Sequence, residues 1–305
     1  MSTMNVWDAE YAVSIYEAKR CIEQQFPKLS PVIVDELGKG FDNTVYVVNN
    51  SYVFRFPRRK IAVSLLQTEN TLLPALAPLL PISISYPLFF GKPTSQYPWP
   101  FTGYHYIQGH LVSTLSREER ILSASLLGEF LRILHDFPVQ QARHLGVSED
   151  QLARLDVGKR KPKLLEHLQK ANALLPSARF VALEQWVKHV QPVTIRQEKT
   201  LCHGDLHIRN VVLDDTKKIA GIIDWGDVHI GHPAVDLSFV YSYFPSEGRQ
   251  QFFTTYGEID HNTATLAKFK GLYTTIMLLL YAIDQRDEAL VESSLSSIDL
   301  LYESL

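Results

Sequence analysis

The sequence contains few cysteines of the kind that stabilise small secreted proteins through disulfide bonds. Among its 305 residues there are only two cysteines, Cys21 and Cys202, and neither belongs to a Cys-x-x-Cys pair. Two cysteines form neither a disulfide framework nor a four-ligand zinc site by themselves. The chain is therefore expected to fold around an ordinary hydrophobic core in a reducing compartment, and we predict a cytoplasmic protein.

Long apolar runs are also scarce. The most apolar stretch late in the chain, Ile276–Ile283, is far shorter than the roughly 20 residues that a membrane-spanning helix needs, and it predicts a buried core helix. At the other end, Asp8 and Glu10 stand where a signal peptide has a basic and then an apolar segment. We therefore predict no interaction with a membrane.

An excess of positive charge is absent as well. The formal net charge is −3, which argues against a protein that binds nucleic acid by neutralising phosphates. Hydrophobic residues make up 46% of the chain and charged residues 21%, which excludes a disordered chain. At about 150 residues per domain, a chain of this length corresponds to roughly two domains.

The hydrophobic periodicity changes along the chain. A helical period from Trp7 to Phe26 is followed by short β-branched and aromatic runs typical of antiparallel strands. A helix is predicted around Ile61–Leu73 and is expected to end at Pro74. Further strand-like pieces lead to Gly109. Beyond it, helical periods are predicted at Arg117–His135, Leu164–Leu175, Phe180–Val190, Ala234–Tyr243, Thr263–Ala282 and Glu288–Tyr302.

This change of period predicts an α+β fold of two lobes. Residues 1–109 are expected to form a small lobe with an antiparallel sheet, and residues 110–305 a larger, mostly helical lobe. The densest basic stretch, Gly158–Lys163, is predicted to be a solvated loop.

One segment carries a pattern suited to chemistry. The run HGDLHIRN at 203–210 is followed by IIDWGD at 222–227, which places Asp205, Asn210 and Asp224 near the ends of two apolar strand-like runs. A hairpin would bring their oxygen atoms together, and such oxygen ligands suit Mg²⁺. The spacing is that of a phosphoryl-transfer loop, although Asp and Asn are also common as simple turn residues.

These motifs, together with GHPAVDL at 231–237 and the N-terminal GKGFDNTVYVV and SYVFRFPRR, resemble the aminoglycoside phosphotransferase family of the kinase-like superfamily. The resemblance implies a bilobal protein-kinase-like fold with the nucleotide in the cleft. It implies that Asp205 is the catalytic aspartate, and that Asn210 and Asp224 bind Mg²⁺. Asp236 and His203 match positions that support the catalytic loop.

The resemblance also implies a nucleotide site in the N-terminal half. Arg55 stands where many relatives have a lysine that binds phosphate, and Glu69 matches its acidic partner. Gly40 belongs to a loop whose backbone N–H groups can face phosphate. His105 and Ile107 match the positions whose backbone groups contact the purine edge.

The predicted function is the transfer of the γ-phosphate of ATP or GTP, with Mg²⁺, to a hydroxyl of a small molecule, in a monomer or weak dimer. An aminoglycoside-like acceptor is the first choice, because acidic residues outnumber basic ones after Tyr241. A bulky apolar acceptor is the alternative, since aromatic residues of the same region would suit a macrolide or another metabolite. A nucleotide-binding pseudoenzyme also stays open. A protein kinase is disfavoured, because the DWG segment runs within a few residues into HPAVDL, with no activation loop.

Overall fold

The computed structural model describes residues 10–39, 42–111, 114–193 and 199–305. The described residues divide into two compact units. The first contains those up to residue 79 together with 84–107 and 224–227, and the second contains 80–83, 108–223 and 228–305. The predicted boundary at Gly109 lies two residues after the end of the first unit's middle segment. The assignment of nucleotide binding to residues 1–109 and of catalysis to residues 110–305 stays a prediction.

Most strands lie in the first part of the chain. In order, the elements there are α1 (Ile15–Gln25), β1 (Val34–Lys39), β2 (Asn43–Val48), β3 (Tyr52–Pro57), α2 (Lys60–Leu76), β4 (Ser83–Ile84), β5 (Pro87–Gly91), β6 (Phe101–His105) and β7 (His110–Leu111). Helices dominate the rest of the chain, whose elements are α3 (Arg117–Ile121), α4 (Ala124–Asp136), α5 (Val139–His144), α6 (Val157–Ala171), α7 (Ser177–His189), β8 (Thr200–Cys202), β9 (Val211–Leu213), β10 (Ile219–Ile222), β11 (His229–Gly231), α8 (Ala234–Tyr243), α9 (Ser246–Tyr256), α10 (His261–Gln285) and α11 (Glu288–Tyr302). This distribution agrees with the predicted α+β fold.

An antiparallel sheet of order β1-β2-β3-β6-β5 forms the centre of the first unit. Asn49 and Asn50 connect β2 to β3 with φ of 53° and 51°, the left-handed conformation that a tight hairpin turn requires. Aromatic rings fill the core, and those of Phe56 and Phe101 stack with centroids 4.5 Å apart. The aromatic runs of the sequence therefore supply both the strands and the core of this unit.

Helix α1 begins later than the periodicity predicts. Residues 1–9, which include the start of the predicted helix at Trp7, lie outside the described residues, and residues 11–14 are not helical. The helix begins after Ser14, whose backbone N–H donates to Glu17 Oε2 at 2.8 Å, while Ser14 Oγ accepts from the Glu17 N–H at 3.3 Å. This reciprocal capping box fixes the first turn.

Helix α2 does not end at Pro74 as predicted. It runs to Leu76, and its final backbone hydrogen bond is donated by the Ala77 N–H to Leu73 O at 2.9 Å. Proline costs a helix most in its interior, where it removes one hydrogen bond and clashes with the preceding turn. Pro74 has no N–H to donate to the Asn70 carbonyl, yet the helix continues for two residues beyond it and packs against β3, β5 and β6.

Two small sheets frame the chemistry-bearing motif in the second unit. Strands β9 and β10 form a hairpin in a sheet of order β4-β10-β9-β7, and β8 pairs with β11. The loop 203–210 connects β8 to β9. The Ile223 N–H donates to Asn210 O at 2.9 Å, so the hairpin register continues to the residue just before Asp224.

Helices α8, α10 and α11 pack against one another. Gly271 of α10 allows the closest approach, because a Cβ atom there would lie 2.8 Å from the backbone oxygen of Ser238 in α8 and 3.1 Å from Leu301 Cδ2 in α11. Helix α10 is longer than the apolar run Ile276–Ile283. By length and composition alone α10 could cross a membrane, but half of its most apolar stretch is buried inside the fold, as expected for a core helix.

Two further segments differ from the prediction. The basic stretch Gly158–Lys163 forms the first turns of α6 rather than a loop, because Asp156 caps the helix by accepting from the Lys159 N–H at 3.0 Å. The helix predicted over Arg117–His135 is broken into α3 and α4. Ser123 lies at the break, and its hydroxyl accepts from the Ile219 N–H of β10 at 2.8 Å.

Candidate active site

The loop that carries Asp205 is held by a buried carboxylate. Asp236, in the first turn of α8, accepts from the backbone N–H groups of His203 at 2.8 Å and Gly204 at 2.9 Å. Gly204 has φ of 91°, which favours glycine. The His203 ring also holds the loop, because its Nε2 lies 3.1 Å from Ile223 O at the end of the β9–β10 hairpin and its Nδ1 accepts from the Asp205 N–H at 3.3 Å. The backbone from His203 to the N–H of Asp205 is thereby fixed.

A second layer of hydrogen bonds supports Asp236. The Nε2 atom of His135 in α4 lies 3.2 Å from Asp236 Oδ2, and its Nδ1 lies 2.7 Å from the hydroxyl of Tyr256. Burial raises the pKa of the Asp236 carboxyl, but the interactions with His135 and with His203 and Gly204 outweigh burial, so that the pKa lies below its ordinary value. The carboxylate is therefore the ionised acceptor of this network.

Cys202 lies beside the same network. Its thiol and the ligand atoms of His135 and Asp236 are within 4.8 Å of one another. Burial raises the pKa of the Cys202 thiol well above its ordinary value, so the sulfur stays protonated. Both oxygens of Asp236 already accept hydrogen bonds from protein donors. The three side chains are accordingly part of the hydrogen-bonded core and not a metal site.

Asp205, His207 and Asn210 contact one another within the loop. His207 Nδ1 accepts from the Arg209 N–H at 3.2 Å, and its Nε2 lies 3.2 Å from Asp205 Oδ2. The amide nitrogen of Asn210 donates to Asp205 O at 2.8 Å. His207 thus orients the Asp205 carboxylate, while Asn210 holds its backbone.

The electrostatic environment keeps Asp205 ionised. Burial raises its pKa, but the charge and hydrogen bond of His207 and the charge of Lys270 in α10 lower it by more, and the result lies well below the ordinary value for aspartate. A carboxylate that is ionised, oriented and in part exposed can accept a proton from a bound hydroxyl.

A separate cluster of charges forms in the first unit, around Arg55 on β3. Arg55 Nη1 lies 2.9 Å from Oε2 and 3.2 Å from Oε1 of Glu69 on α2, and Nη2 lies 2.9 Å from Oδ1 of Asp224. The Tyr104 hydroxyl donates to Glu69 Oε2 at 3.4 Å. The ion pair predicted between Arg55 and Glu69 is therefore present, and the planar guanidinium uses its two terminal nitrogens for two different carboxylates.

The two carboxylates of this cluster differ in their exposure to solvent. The Glu69 side chain is 2% exposed and that of Asp224 is 54% exposed. Burial raises the pKa of the Glu69 carboxyl to about 7, although the Arg55 charge opposes the rise. Asp224 adopts φ of 63°, an uncommon conformation for a non-glycine residue and one that is concentrated at functional sites.

The predicted metal ligands offer the right donor atoms. The amide nitrogen of Asn210 is committed to Asp205 O, which leaves the amide oxygen for a cation. Asp224 Oδ1 pairs with Arg55, and the exposed carboxylate retains Oδ2. An amide and a carboxylate oxygen are hard ligands of the type that Mg²⁺ takes in proteins.

The remaining predicted nucleotide-binding residues have different outcomes. Gly40 lies outside the described residues. His105 is the last residue of β6, with its ring stacked 5.7 Å from that of Tyr52, and the next residue, Tyr106, donates its N–H to Ser51 O at 2.9 Å. Ile107 lies at the end of the same segment. A purine contact for His105 and Ile107 stays a prediction.

Several of the acidic residues after Tyr241 form ion pairs or cap helices. Glu303 pairs with Arg117 at 2.7 Å, and Glu247 lies 3.8 Å from the same guanidinium. Asp260 accepts from the first backbone N–H groups of α10, and Asp287 does the same for α11. These carboxylates therefore act as ion-pair partners and helix caps.

The aromatic residues of this region divide into two groups. Tyr241, Tyr243 and Phe244 are buried in the core. Tyr273 and Tyr281 are half-buried and carry arginines over their rings, and the guanidinium of Arg209, within the loop 203–210, lies 4.9 Å from the ring centroid of Tyr281. Of these five aromatic residues, Tyr281 is the one whose ring contact with Arg209 places it at the loop 203–210.

Three residues of the site carry no motif in the sequence. His135 and Tyr256 support Asp236 from positions 101 residues before it and 20 residues after it, and Lys270 acts on Asp205 from a third helix. The one signal that could have indicated any of them is that His135 is an isolated polar residue within the apolar period of α4. Its partner is set by tertiary packing.

Solved structures resemble this chain over almost its full length. A GDP complex of wild-type aminoglycoside 2'-phosphotransferase-IIIa is 25% identical, covers 96% of this chain and 99% of its own, and has a TM-score of 0.67. A GDP and kanamycin complex of APH(2")-IIia is 25% identical over 94% of this chain and 98% of its own, with a TM-score of 0.64. A macrolide 2'-phosphotransferase type I, 18% identical over 93% of this chain and 98% of its own, has the same fold with a TM-score of 0.56.

The antiparallel first unit, the helical second unit and the loop around Asp205 thus define a small-molecule kinase with a protein-kinase-like fold. The model of the Phosphotransferase enzyme family matches residues 34–272, and the chain belongs to that family.

Proposed function

We propose that the protein transfers the γ-phosphate of ATP or GTP to a hydroxyl group of a small molecule. The observation that carries the proposal is the arrangement of Asp205, an ionised carboxylate oriented by His207 on a backbone that Asp236 and Asn210 fix. Phosphoryl transfer demands mainly positioning and electrostatic stabilisation, and a rigid carboxylate beside the acceptor meets the first demand.

In the proposed reaction, Asp205 accepts the proton of the acceptor hydroxyl as the new oxygen–phosphorus bond forms. The bond from the γ-phosphorus to its bridging oxygen breaks, and the nucleoside diphosphate leaves. His207 keeps the carboxylate in place through its Nε2 contact of 3.2 Å. A general base of this kind contributes about 10²- to 10⁴-fold to a rate.

The phosphates also require positive charge. Arg55, fixed by Glu69, is the proposed contact for phosphate oxygens. Asn210 and Asp224 are the proposed ligands of Mg²⁺, which would supply further positive charge against the phosphates when bound. The GDP complex of the 25% identical relative supports a nucleotide donor, for which Gly40, His105 and Ile107 are the proposed backbone contacts.

The acceptor is proposed to be an aminoglycoside first, because the relative of known structure that binds kanamycin is 25% identical to this chain. A macrolide or another hydroxylated metabolite is the alternative within the same reaction. The scarcity of cysteine supports the proposal that this reaction takes place in the cytoplasm.

A nucleotide-consumption screen tests the proposal. Kanamycin, a macrolide and a panel of metabolite alcohols would each be supplied with ATP or GTP and Mg²⁺, and the phosphorylated product identified by mass spectrometry. Asp205→Asn removes the general base with little change of shape. Asp215→Asn, at a side chain 95% exposed to solvent, is the matched control.

We expect acceptor-dependent turnover that Asp205→Asn lowers about 10²-fold or more and that Asp215→Asn leaves unchanged. Undiminished turnover in Asp205→Asn would refute the catalytic role of this carboxylate. Nucleotide binding without turnover on any acceptor would instead support the nucleotide-binding pseudoenzyme.

A further inference from the structure

The carboxylate of Asp224 is oriented by one side chain. Arg55 Nη2 lies 2.9 Å from Asp224 Oδ1, and within the described part of the chain no other hydrogen bond or ion pair reaches this carboxylate. Both residues belong to the first unit. Because the Asp224 side chain is otherwise exposed to solvent, Arg55 is the contact that decides where its two oxygens point.

The backbone that carries Asp224 is held separately. The next residue, Trp225, is completely buried, and Gly226 lies against the same charge cluster. A Cβ atom at position 226 would lie 3.6 Å from Glu69 Oε1, 3.8 Å from Asp224 Oδ1 and 3.9 Å from Arg55 Nη2. This packing fixes the main chain of residues 224–226 and leaves the side-chain torsions of Asp224 to be set by Arg55.

The guanidinium that orients Asp224 is itself rigid. The backbone of Arg55 lies in the middle of the sheet, where it is paired with Val45 of β2 and Thr102 of β6. Its Nη1 lies within 3.2 Å of both oxygens of Glu69, whose side chain is buried. A cation held in this way by its backbone and by its side chain gives Asp224 a partner with a fixed position.

Arg55 keeps donors for a phosphate. A guanidinium has five N–H groups in one plane. Nη1 serves Glu69, Nη2 uses one of its two N–H groups for Asp224, and no hydrogen bond from Nε to a described residue is present. The same side chain can therefore hold Asp224 and contact a phosphate oxygen at once. A lysine ammonium is a single point of charge on a flexible stem and does not span three groups in this way.

We propose that Arg55 is a positioning residue for the metal ion as well as a phosphate contact: by holding Oδ1 of Asp224, it presents Oδ2 of the same carboxylate to Mg²⁺. A side chain that hydrogen-bonds a metal-ligating group orients that group, and loss of such a partner typically costs about 10- to 100-fold in metal affinity. The inference rests on the proposed function, because it concerns the metal ion of that reaction. It gives the arginine at this position a task for which a lysine is unsuited.

Exchange of Arg55 for lysine separates this task from the effect of charge. Both side chains are cationic, so the electrostatic repulsion between residue 55 and a bound metal ion changes little. A buried carboxylate without a partner is costly, so the ammonium introduced by Arg55→Lys is expected to stay with Glu69. Asp224 then loses its partner while the first unit keeps its buried ion pair.

Arg55→Lys therefore tests the proposal, and Arg117→Lys is the matched control. Arg117 also spans two carboxylates, with Nη1 2.7 Å from Glu303 and Nη2 3.8 Å from Glu247, but it belongs to the second unit. Mn²⁺ serves as the probe for Mg²⁺. It is titrated into each protein with ADP or GDP bound, and unbound Mn²⁺ is measured by electron paramagnetic resonance. Melting temperature checks that each variant is folded.

We expect Arg55→Lys to weaken Mn²⁺ binding about 10- to 100-fold and Arg117→Lys to leave it within about twofold of the wild type. A folded Arg55→Lys protein with unchanged Mn²⁺ affinity overturns the inference while leaving the proposed function intact.

A second pair of variants shows whether the loss runs through Asp224. Asp224→Ala removes the carboxylate, so in that background Arg55→Lys should weaken Mn²⁺ binding by no more than about a further twofold. A loss of the same size in both backgrounds means that Arg55 acts through the nucleotide alone, and it overturns the inference.

Failure of the proposed function gives a different result. If the wild type binds no Mn²⁺ beside the nucleotide, the metal site of the proposed function is refuted and this inference with it. Absence of turnover with every acceptor refutes the proposed function alone, because the comparison of Mn²⁺ affinities needs no turnover.

Discussion

Replacing Asp236 by asparagine should destabilise the protein and loosen the loop 203–210. The carboxylate accepts from the N–H groups of His203 and Gly204 and from His135. An asparagine places an amide nitrogen where one oxygen stood. The less costly orientation puts that nitrogen opposite Gly204 and leaves its buried N–H unpaired, which costs about 1–3 kcal/mol. The remaining bonds lose the strength that a charged acceptor gives them, so we expect a total loss of about 2–4 kcal/mol.

Urea unfolding followed by circular dichroism measures this loss, with Asp215→Asn as a surface control of the same chemistry. Because the Asp236 bonds fix the backbone before Asp205, kcat should fall under conditions in which the variant is still fully folded. A value of ΔΔG below about 0.5 kcal/mol, together with an unchanged kcat, would refute the role given to Asp236.

Three further predictions concern stability. Gly271→Ala should cost about 1–3 kcal/mol in urea unfolding, because its Cβ would lie 2.8 Å from the backbone oxygen of Ser238; an unchanged midpoint would contradict the close packing of α10 and α8. Arg55→Ala should lower the free energy of unfolding by about 3–5 kcal/mol, because it leaves the buried Glu69 without its partner. The double variant Arg55→Ala with Glu69→Gln should recover part of this loss. Losses that simply add would argue against energetic coupling of the two residues. The pKa of Asp236 is lowered in the folded state, so the stabilisation by its carboxylate is present at neutral pH and is lost as pH falls below about 4. The difference in the free energy of unfolding between wild type and Asp236→Asn should therefore shrink below that pH. A difference that stays constant with pH would contradict the lowered pKa.

The sequence was most informative where local pattern and tertiary burial agree. Helices α8 and α11 have the bounds that their periodicity predicts, Ala234–Tyr243 and Glu288–Tyr302. It was least informative where side chains from distant elements decide the outcome. Helix α9 was not predicted, and the helix over Arg117–His135 breaks where Ser123 bonds to β10.

The candidate site shows the same division. The spacing within 203–210 indicates Asp205 and Asn210 because the loop is local, and the register of the β9–β10 hairpin then leads directly to Asp224. The support of the loop by His135 and the effect of Lys270 on Asp205 depend on the packing of α4 and α10. No local pattern encodes those contacts.

The four residues 224–227 belong to the first unit although the chain on both sides belongs to the second. One of their two aspartates, Asp224, pairs with Arg55, which lies 169 residues earlier in the chain. At a synthesis rate of about 5–20 residues per second, Asp224 is added on the order of 10–30 s after Arg55. A fragment ending at residue 107 would lack it altogether. The first unit of this enzyme is therefore completed late in translation, and it cannot be reproduced by cutting the gene at a single point.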